Sequence, residues 1–122
     1  MKLIDLPERY ISDAGYIQNL VEEQCGGVGL IVSLAGSVRG NHYHRQDYHY
    51  LYVVDGTFRY YYRKGSEVLT IEVRAGQMLY TPPLEAHAQL FLEDTVLISI
   101  SKLPRTHESH EDDVVRLETP LC

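Results

Sequence analysis

The run Gly40-Asn41-His42-Tyr43-His44 sets two imidazoles at positions i and i+2. On a β-strand that spacing puts both on one face, because side chains alternate with a period of two. Arg45-Gln46-Asp47-Tyr48 supply a turn, and His49 opens the next β-like run. If His49 points inward, Leu51 and Val53 do too, and Tyr50 and Tyr52 take the other face. A hairpin then brings His49 across from the first pair, and His87, after Pro82-Pro83-Leu84-Glu85-Ala86, closes the group from a later strand. Imidazole titrates near neutral pH and so can move protons. Its neutral ring nitrogens also ligate Zn, Fe, Ni or Cu, and four histidines buried together without a metal would need many hydrogen bonds. His107 and His110 fall in a charged tail and read as solvent-facing.

The elements that must position these residues are short. β-like runs cover Tyr16–Glu22, Val28–Ala35, Gly40–His44, His49–Val54, Thr57–Arg63, Glu67–Val73, Met78–Thr81, Ala88–Leu92 and Thr95–Ser101. Turn residues separate them: Gly26-Gly27, Asp55-Gly56, Lys64-Gly65-Ser66, Ala75-Gly76 and Pro82-Pro83. Many short strands at regular spacing predict an all-β sandwich or barrel. Only Pro7–Val21 approaches helical spacing, and Gly15 interrupts it. The tail from Arg105 to Arg116 reads as a solvated loop or a short turn of helix.

The chain has 122 residues, 44% hydrophobic and 23% charged, which fits one domain over 1–122 with one core. Its net charge is −6 and no Lys/Arg cluster appears, which argues against nucleic acid as a partner. Cys25 and Cys122 are far apart and read as two reduced thiols. Met1 to Arg9 is too polar for a signal peptide, and no apolar run approaches the ~20 residues of a membrane span. The expectation is a cytosolic protein with no membrane partner.

Residues 40–56 resemble the first cupin motif, with His42 and His44 in the His-x-His pair, His49 in the glutamate position and Gly56 at its end. Residues 76–91 resemble the second, with Gly76, Pro82 and His87, while Leu84 replaces its usual glycine and Phe91 its usual asparagine. The resemblance implies a jelly-roll barrel, with His42, His44, His49 and His87 holding one divalent metal ion inside it (Zn, Fe, Ni or Mn).

In stretches that run in order across most of its length, the chain is similar to a narrower group of cupins that act on nucleotide-linked sugars, the 3,4-ketoisomerases of thymidine-diphosphate-linked 4-keto-6-deoxyhexoses and their sugar-epimerase relatives in polysaccharide biosynthesis. Arg39-Gly40-Asn41-His42-Tyr43-His44 resembles their Arg-Gly-x-His-x-His hallmark, and Leu79-Tyr80-Thr81-Pro82-Pro83 to His87 resembles a later segment. His49 stands where those isomerases carry Gln, Ala86 where a tryptophan often precedes the histidine, and Ala14 where an early arginine belongs. The implied chemistry is proton transfer beside a sugar ketone. His42 or His44 would shuttle the proton, Tyr80 would donate to the developing oxyanion, and Arg39 would hold a diphosphate bidentately. If all four histidines ligate the metal, Tyr43, Tyr80 or Glu85 must handle protons instead, with Tyr43 and Glu85 otherwise read as substrate contacts. Two other readings stand beside this one: a His-ligated non-haem iron dioxygenase, and a sugar- or small-ligand-binding cupin without catalysis. Edge strands of so small a barrel need protection, so a homodimer through an exposed N-terminal strand is expected.

Overall fold

The computed structural model describes the backbone of residues 1–122 and all side chains except those of residues 107 and 109. Twelve strands and one short helix run in chain order as β1 (Lys2–Leu3), β2 (Tyr10–Ser12), β3 (Gly15–Ile17), β4 (Gly27–Ser33), β5 (Val38–His44) and β6 (His49–Asp55). There follow β7 (Thr57–Lys64), β8 (Glu67–Arg74), β9 (Met78–Thr81), β10 (His87–Phe91), β11 (Thr95–Ser101), α1 (His107–Asp113) and β12 (Val114–Arg116). Two antiparallel five-stranded sheets face each other, ordered β1-β9-β6-β11-β4 and β12-β5-β10-β7-β8. The fold is an all-β jelly roll.

The inward rows make the core. Leu51 and Val53 of β6 meet Phe58 and Tyr60 of β7, Val73, Leu79, Phe91 and Leu97. Burying each such side chain fully is worth about 1.5–3 kcal/mol. His49 shares the inward row of β6 with Leu51 and Val53, while Tyr50 and Tyr52 face the other way, as the alternation predicts. The strand that builds the core thus also carries a histidine at its end.

Two sequence expectations change. In place of a strand over Tyr16–Glu22 the chain forms a hairpin, β2 against β3, because Asp13-Ala14 turn the chain and Gly15 takes φ +123°. The same turn removes any helix over Pro7–Val21. The tail is more than a solvated loop: after the seven-residue α1, Val114–Arg116 pair with His44–His42 and extend the second sheet as β12. Within the first sheet, β1 pairs with β9 and forms one outer edge.

Candidate active site

A backbone irregularity aims the first two histidines. His87 lies opposite His42 across β10 and β5, and Ala88 lies opposite Gly40, so Asn41 has no partner and forms a β-bulge. Gly40 and Asn41 adopt φ +88° and +56°. A Cβ on Gly40 would lie 3.0 Å from both the Ala88 Cα and the His87 carbonyl oxygen, so both conformation and space demand glycine there. Beyond the bulge His42 and His44 face the interior and Tyr43 faces away.

The imidazoles of His42, His44, His49 and His87 all line one cavity of about 80 Å³, with Arg39, Arg105, Gln89 and Thr81. Ring centroids lie 4.8 Å apart for His42–His44, 4.9 Å for His42–His87 and 4.5 Å for His44–His49. The four do not form one equivalent set of ligands. Ring nitrogens of His42, His44 and His87 come within 4.8 Å of one another, and a second group within that limit joins His44 and His49 to Asp47. His44 belongs to both.

Three of the four rings have a hydrogen-bonding neighbour at Nδ1. His44 Nδ1 donates to Asp113 Oδ2 at 3.1 Å, and His87 Nδ1 donates to the Glu85 carbonyl at 2.9 Å, so Nε2 of both rings faces the interior as an acceptor. His49 Nδ1 meets Ser99 Oγ at 3.3 Å. The Tyr60 ring stacks on His87 at 5.7 Å and its hydroxyl reaches Thr81 and Glu85, which makes Tyr60 the floor between site and core.

Burial keeps His42, His44 and His87 uncharged. It lowers His42 to about 2, with help from the other histidines, and lowers His87 to about 3. His44 falls to about 4, again mainly through burial, although Asp113 and Asp47 pull the other way. At neutral pH these three rings are therefore free bases. Burial opposes ionisation of Asp47, but its contacts with His49 and the Leu103 N–H outweigh that and hold the carboxyl below the usual range.

Arg39 lines the cavity, its Nε donating to Ser33 Oγ at 2.8 Å and one Nη to the Val32 carbonyl. Three expected site residues lie elsewhere. Tyr80 is on the outer face of β9, against the rings of Tyr48 and Tyr50 at 5.7 and 5.0 Å, because Leu79 and Thr81 occupy the inward positions. Burial and Glu23 raise its phenol, which makes it a weaker proton donor still. Tyr43 borders a separate surface groove with Arg63 and Val115. The Glu85 carboxylate is engaged by Tyr60 and by the Met1 amino group, and only its backbone carbonyl serves the cluster, through His87.

His110 is not solvent-facing: α1 brings its half-buried ring to 5.9 Å from His44 and 6.4 Å from His42. The expectation for His107 falls on a side chain outside those described. Asp47, Asp113, Ser99 and Arg105 were missed. Asp47 carried a signal, since Asp47-Tyr48-His49 has the same i, i+2 spacing as the histidine pair. Asp113 carried none, lying 69 residues from its partner His44.

Residues 30–100 match the cupin domain family. The chain is a cupin. No curated protein matches this cupin by sequence. Among solved structures it is similar to QdtA, a sugar 3,4-ketoisomerase from Thermoanaerobacterium thermosaccharolyticum in complex with TDP, at 18% identity and TM-score 0.79, over 96% of this chain and 88% of that one. A 3,4-ketoisomerase from Helicobacter canadensis matches at 15% identity and TM-score 0.79, over 94% and 89%. A dTDP-4-dehydrorhamnose 3,5-epimerase from Sulfolobus tokodaii matches at 21% identity and TM-score 0.67, over 83% and 69%. At these identities the likeness is one of fold. Among the described residues no helix is long and apolar enough to cross a membrane.

Proposed function

We propose that this cupin is an isomerase or epimerase acting on a nucleotide-linked keto-deoxysugar. One observation carries the reading: uncharged His42, His44 and His87 share a small cavity with the guanidinium of Arg39. Moving a ketone along a sugar requires a base to take the proton beside the carbonyl and return it to the neighbouring carbon. It also requires positive charge or donors to hold the enediolate oxygen. The solved structures of similar fold include ketoisomerases and an epimerase of such sugars, which agrees with this chemistry.

The cavity, at about 80 Å³, is well below the ~300 Å³ of an ordinary ligand pocket and suits only the reacting end of a sugar. A larger groove of about 310 Å³ adjoins it through Arg105, bordered by Gly26, Gly27 and Gly29. In this reading the sugar ring enters the histidine cavity, Arg39 and Arg105 meet the diphosphate, and the nucleoside lies along the glycine-lined groove. His42 or His87 takes the proton, since neither ring spends its Nε2 on a protein partner.

The donor set also fits a divalent metal: neutral imidazoles with Nε2 turned inward are the form that ligates. His44 with His42 and His87, or His44 with Asp47 and His49, would hold it. Bound there, it supplies a Lewis acid for the sugar oxygen. The protein acts as a homodimer through the outer face of β4 and the residue just beyond it, where Val28, Leu30, Val32 and Leu34 are each more than half exposed.

The deciding experiment incubates the protein with a TDP-linked 4-keto-6-deoxyhexose in D₂O and follows it by proton NMR. Deuterium entering beside the ketone, with a shifted keto product, is the expected result. Thermal stabilisation by TDP without exchange would replace the enzyme with a binding module. Oxygen consumption on iron loading would replace it with an oxygenase.

A further inference from the structure

The two donor groups compete for His44, and the structure distinguishes them. His44 has one ring nitrogen to give, because Nδ1 is committed to Asp113. In the group with Asp47, the side chain of His49 is 7% exposed, yet its Nε2 is the one buried side-chain nitrogen or oxygen without a hydrogen-bond partner among the described residues. It lies 3.3 Å from Asp47 Oδ2, close enough for an ion pair but not aligned as a hydrogen bond. An orphaned buried nitrogen is costly, of order 1–3 kcal/mol, unless something else occupies its lone pair. Two ligands on a tetrahedral ion at 2.0–2.1 Å stand about 3.3 Å apart, so the spacing that fails as a hydrogen bond succeeds as one edge of a coordination tetrahedron.

The support around this group is complete. Asp47 Oδ1 accepts the Leu103 N–H at 3.0 Å, which leaves Oδ2 for the ion. The Asp113 carboxylate accepts from His44 Nδ1, from the Gln46 N–H at 2.8 Å and from the Asp47 N–H at 3.3 Å, so one buried acid positions two of the three donors. Ser99 Oγ holds the far side of His49. Outer partners of this kind fix tautomer and ring orientation in metal sites. Arg105, bonded to Ser99 at 3.4 Å, brings one positive charge nearby, against the two aspartates.

The geometry points to a divalent-cation site on His44 Nε2, Asp47 Oδ2 and His49 Nε2, with Asp113 as its positioning residue and a fourth corner open to the cavity. Asp47 supplies the carboxylate that a purely histidine site would lack, and its charge offsets the ion's. His42 and His87 stay outside the coordination sphere and keep their inward nitrogens for proton transfer. The site does not depend on the isomerase reading, although it removes the conflict in which a four-histidine metal leaves no base.

The test uses Zn²⁺ on chelator-stripped full-length protein, read by calorimetry and by X-ray absorption. Asp47→Asn and His49→Gln should each weaken Zn²⁺ by roughly 100-fold or more, exceeding the 10–100-fold expected of Asp113→Asn as an outer partner. His42→Ala and His87→Ala should stay within about threefold of the parent, against the factor of ten that 1.4 kcal/mol represents. X-ray absorption on the unsubstituted protein, which needs no variant to fold, should find two imidazoles and oxygen donors. Three or four imidazoles, a loss confined to the His42 and His87 variants, or no Zn²⁺ uptake at all would each overturn the site. Sugar exchange without Zn²⁺ binding would sink this site and leave the proposed reaction. Zn²⁺ binding as described, without sugar conversion, would do the reverse.

Discussion

The Oδ2 of Asp113, at the end of α1, stands 3.1 Å from Nδ1 of His44 on β5, with both side chains almost wholly buried. The same carboxylate accepts the backbone N–H groups of Gln46 and Asp47, so it closes the turn between β5 and β6 as well as orienting the ring. Asp113→Ala leaves those donors unmatched inside the protein. The expected cost is about 3 kcal/mol, or a Tm lower by roughly 10 °C. A calorimetric Tm within 2 °C of the parent, roughly what 0.5 kcal/mol moves, would refute that role.

Acid should unfold the metal-free protein through the histidines. His42, His44 and His87 titrate near 6.5 when unfolded, but at about 2, 4 and 3 when folded. Between those limits the unfolded chain binds protons that the native cluster refuses, so stability falls as pH drops from about 6.5, the His44 share ending near 4 and those of His87 and His42 continuing to about 3 and 2. Above pH 7 both states are neutral and the term vanishes. Urea midpoints at pH 7.5, 5.5 and 4.5 in chelator should fall in that order; a flat series would contradict the depressed values.

Gly40→Ala and Gly65→Ala separate crowding from strain. Both glycines have positive φ, at +88° and +63°, but a Cβ on Gly65 meets nothing within 4 Å. Gly65→Ala should cost about 1 kcal/mol, and Gly40→Ala about 2–4 kcal/mol because the neighbouring β10 backbone must move. Equal losses in chemical denaturation would show that the close approach at Gly40 has no energetic weight.

Tyr80 and Arg39 make opposite predictions for the proposed reaction. Tyr80→Phe should keep kcat within about threefold, since the hydroxyl lies on the wrong face of β9 to touch a sugar in the cavity. Arg39→Gln should weaken TDP by about 10-fold, the loss of one charge-assisted contact of roughly 1.5 kcal/mol. A hundredfold drop in the tyrosine variant would return it to the site.

Light scattering should give twice the 14.0 kDa of one chain. Leu30→Asp, in the centre of the exposed β4 row, should halve that mass without unfolding the protein. A monomeric parent would remove the dimer.

The histidine geometry was legible because it depends on alternation alone. His42 and His44 share a face at i, i+2, and His49 had to follow Leu51 and Val53 inward once those were core. Most strand bounds followed from the turn glycines in the same way. What the sequence hid was non-local. Nothing near Val114–Arg116 announces that they pair with β5, and nothing near Asp113 announces His44. Tyr80 was misplaced for a simpler reason: its neighbours Leu79 and Thr81 took the interior, so the residue between them could not.

The bulge at Gly40-Asn41 has a consequence for how such a site can change over generations. Side-chain substitutions alter the donors one at a time, but a single-codon deletion at Asn41 would reverse which face His42 and His44 present. Both imidazoles would leave together and Tyr43 would replace them. Inheritance of the centre is therefore tied less to any histidine than to one surplus residue in the backbone, and relatives keeping His-x-His without that surplus residue would carry the letters but not the site.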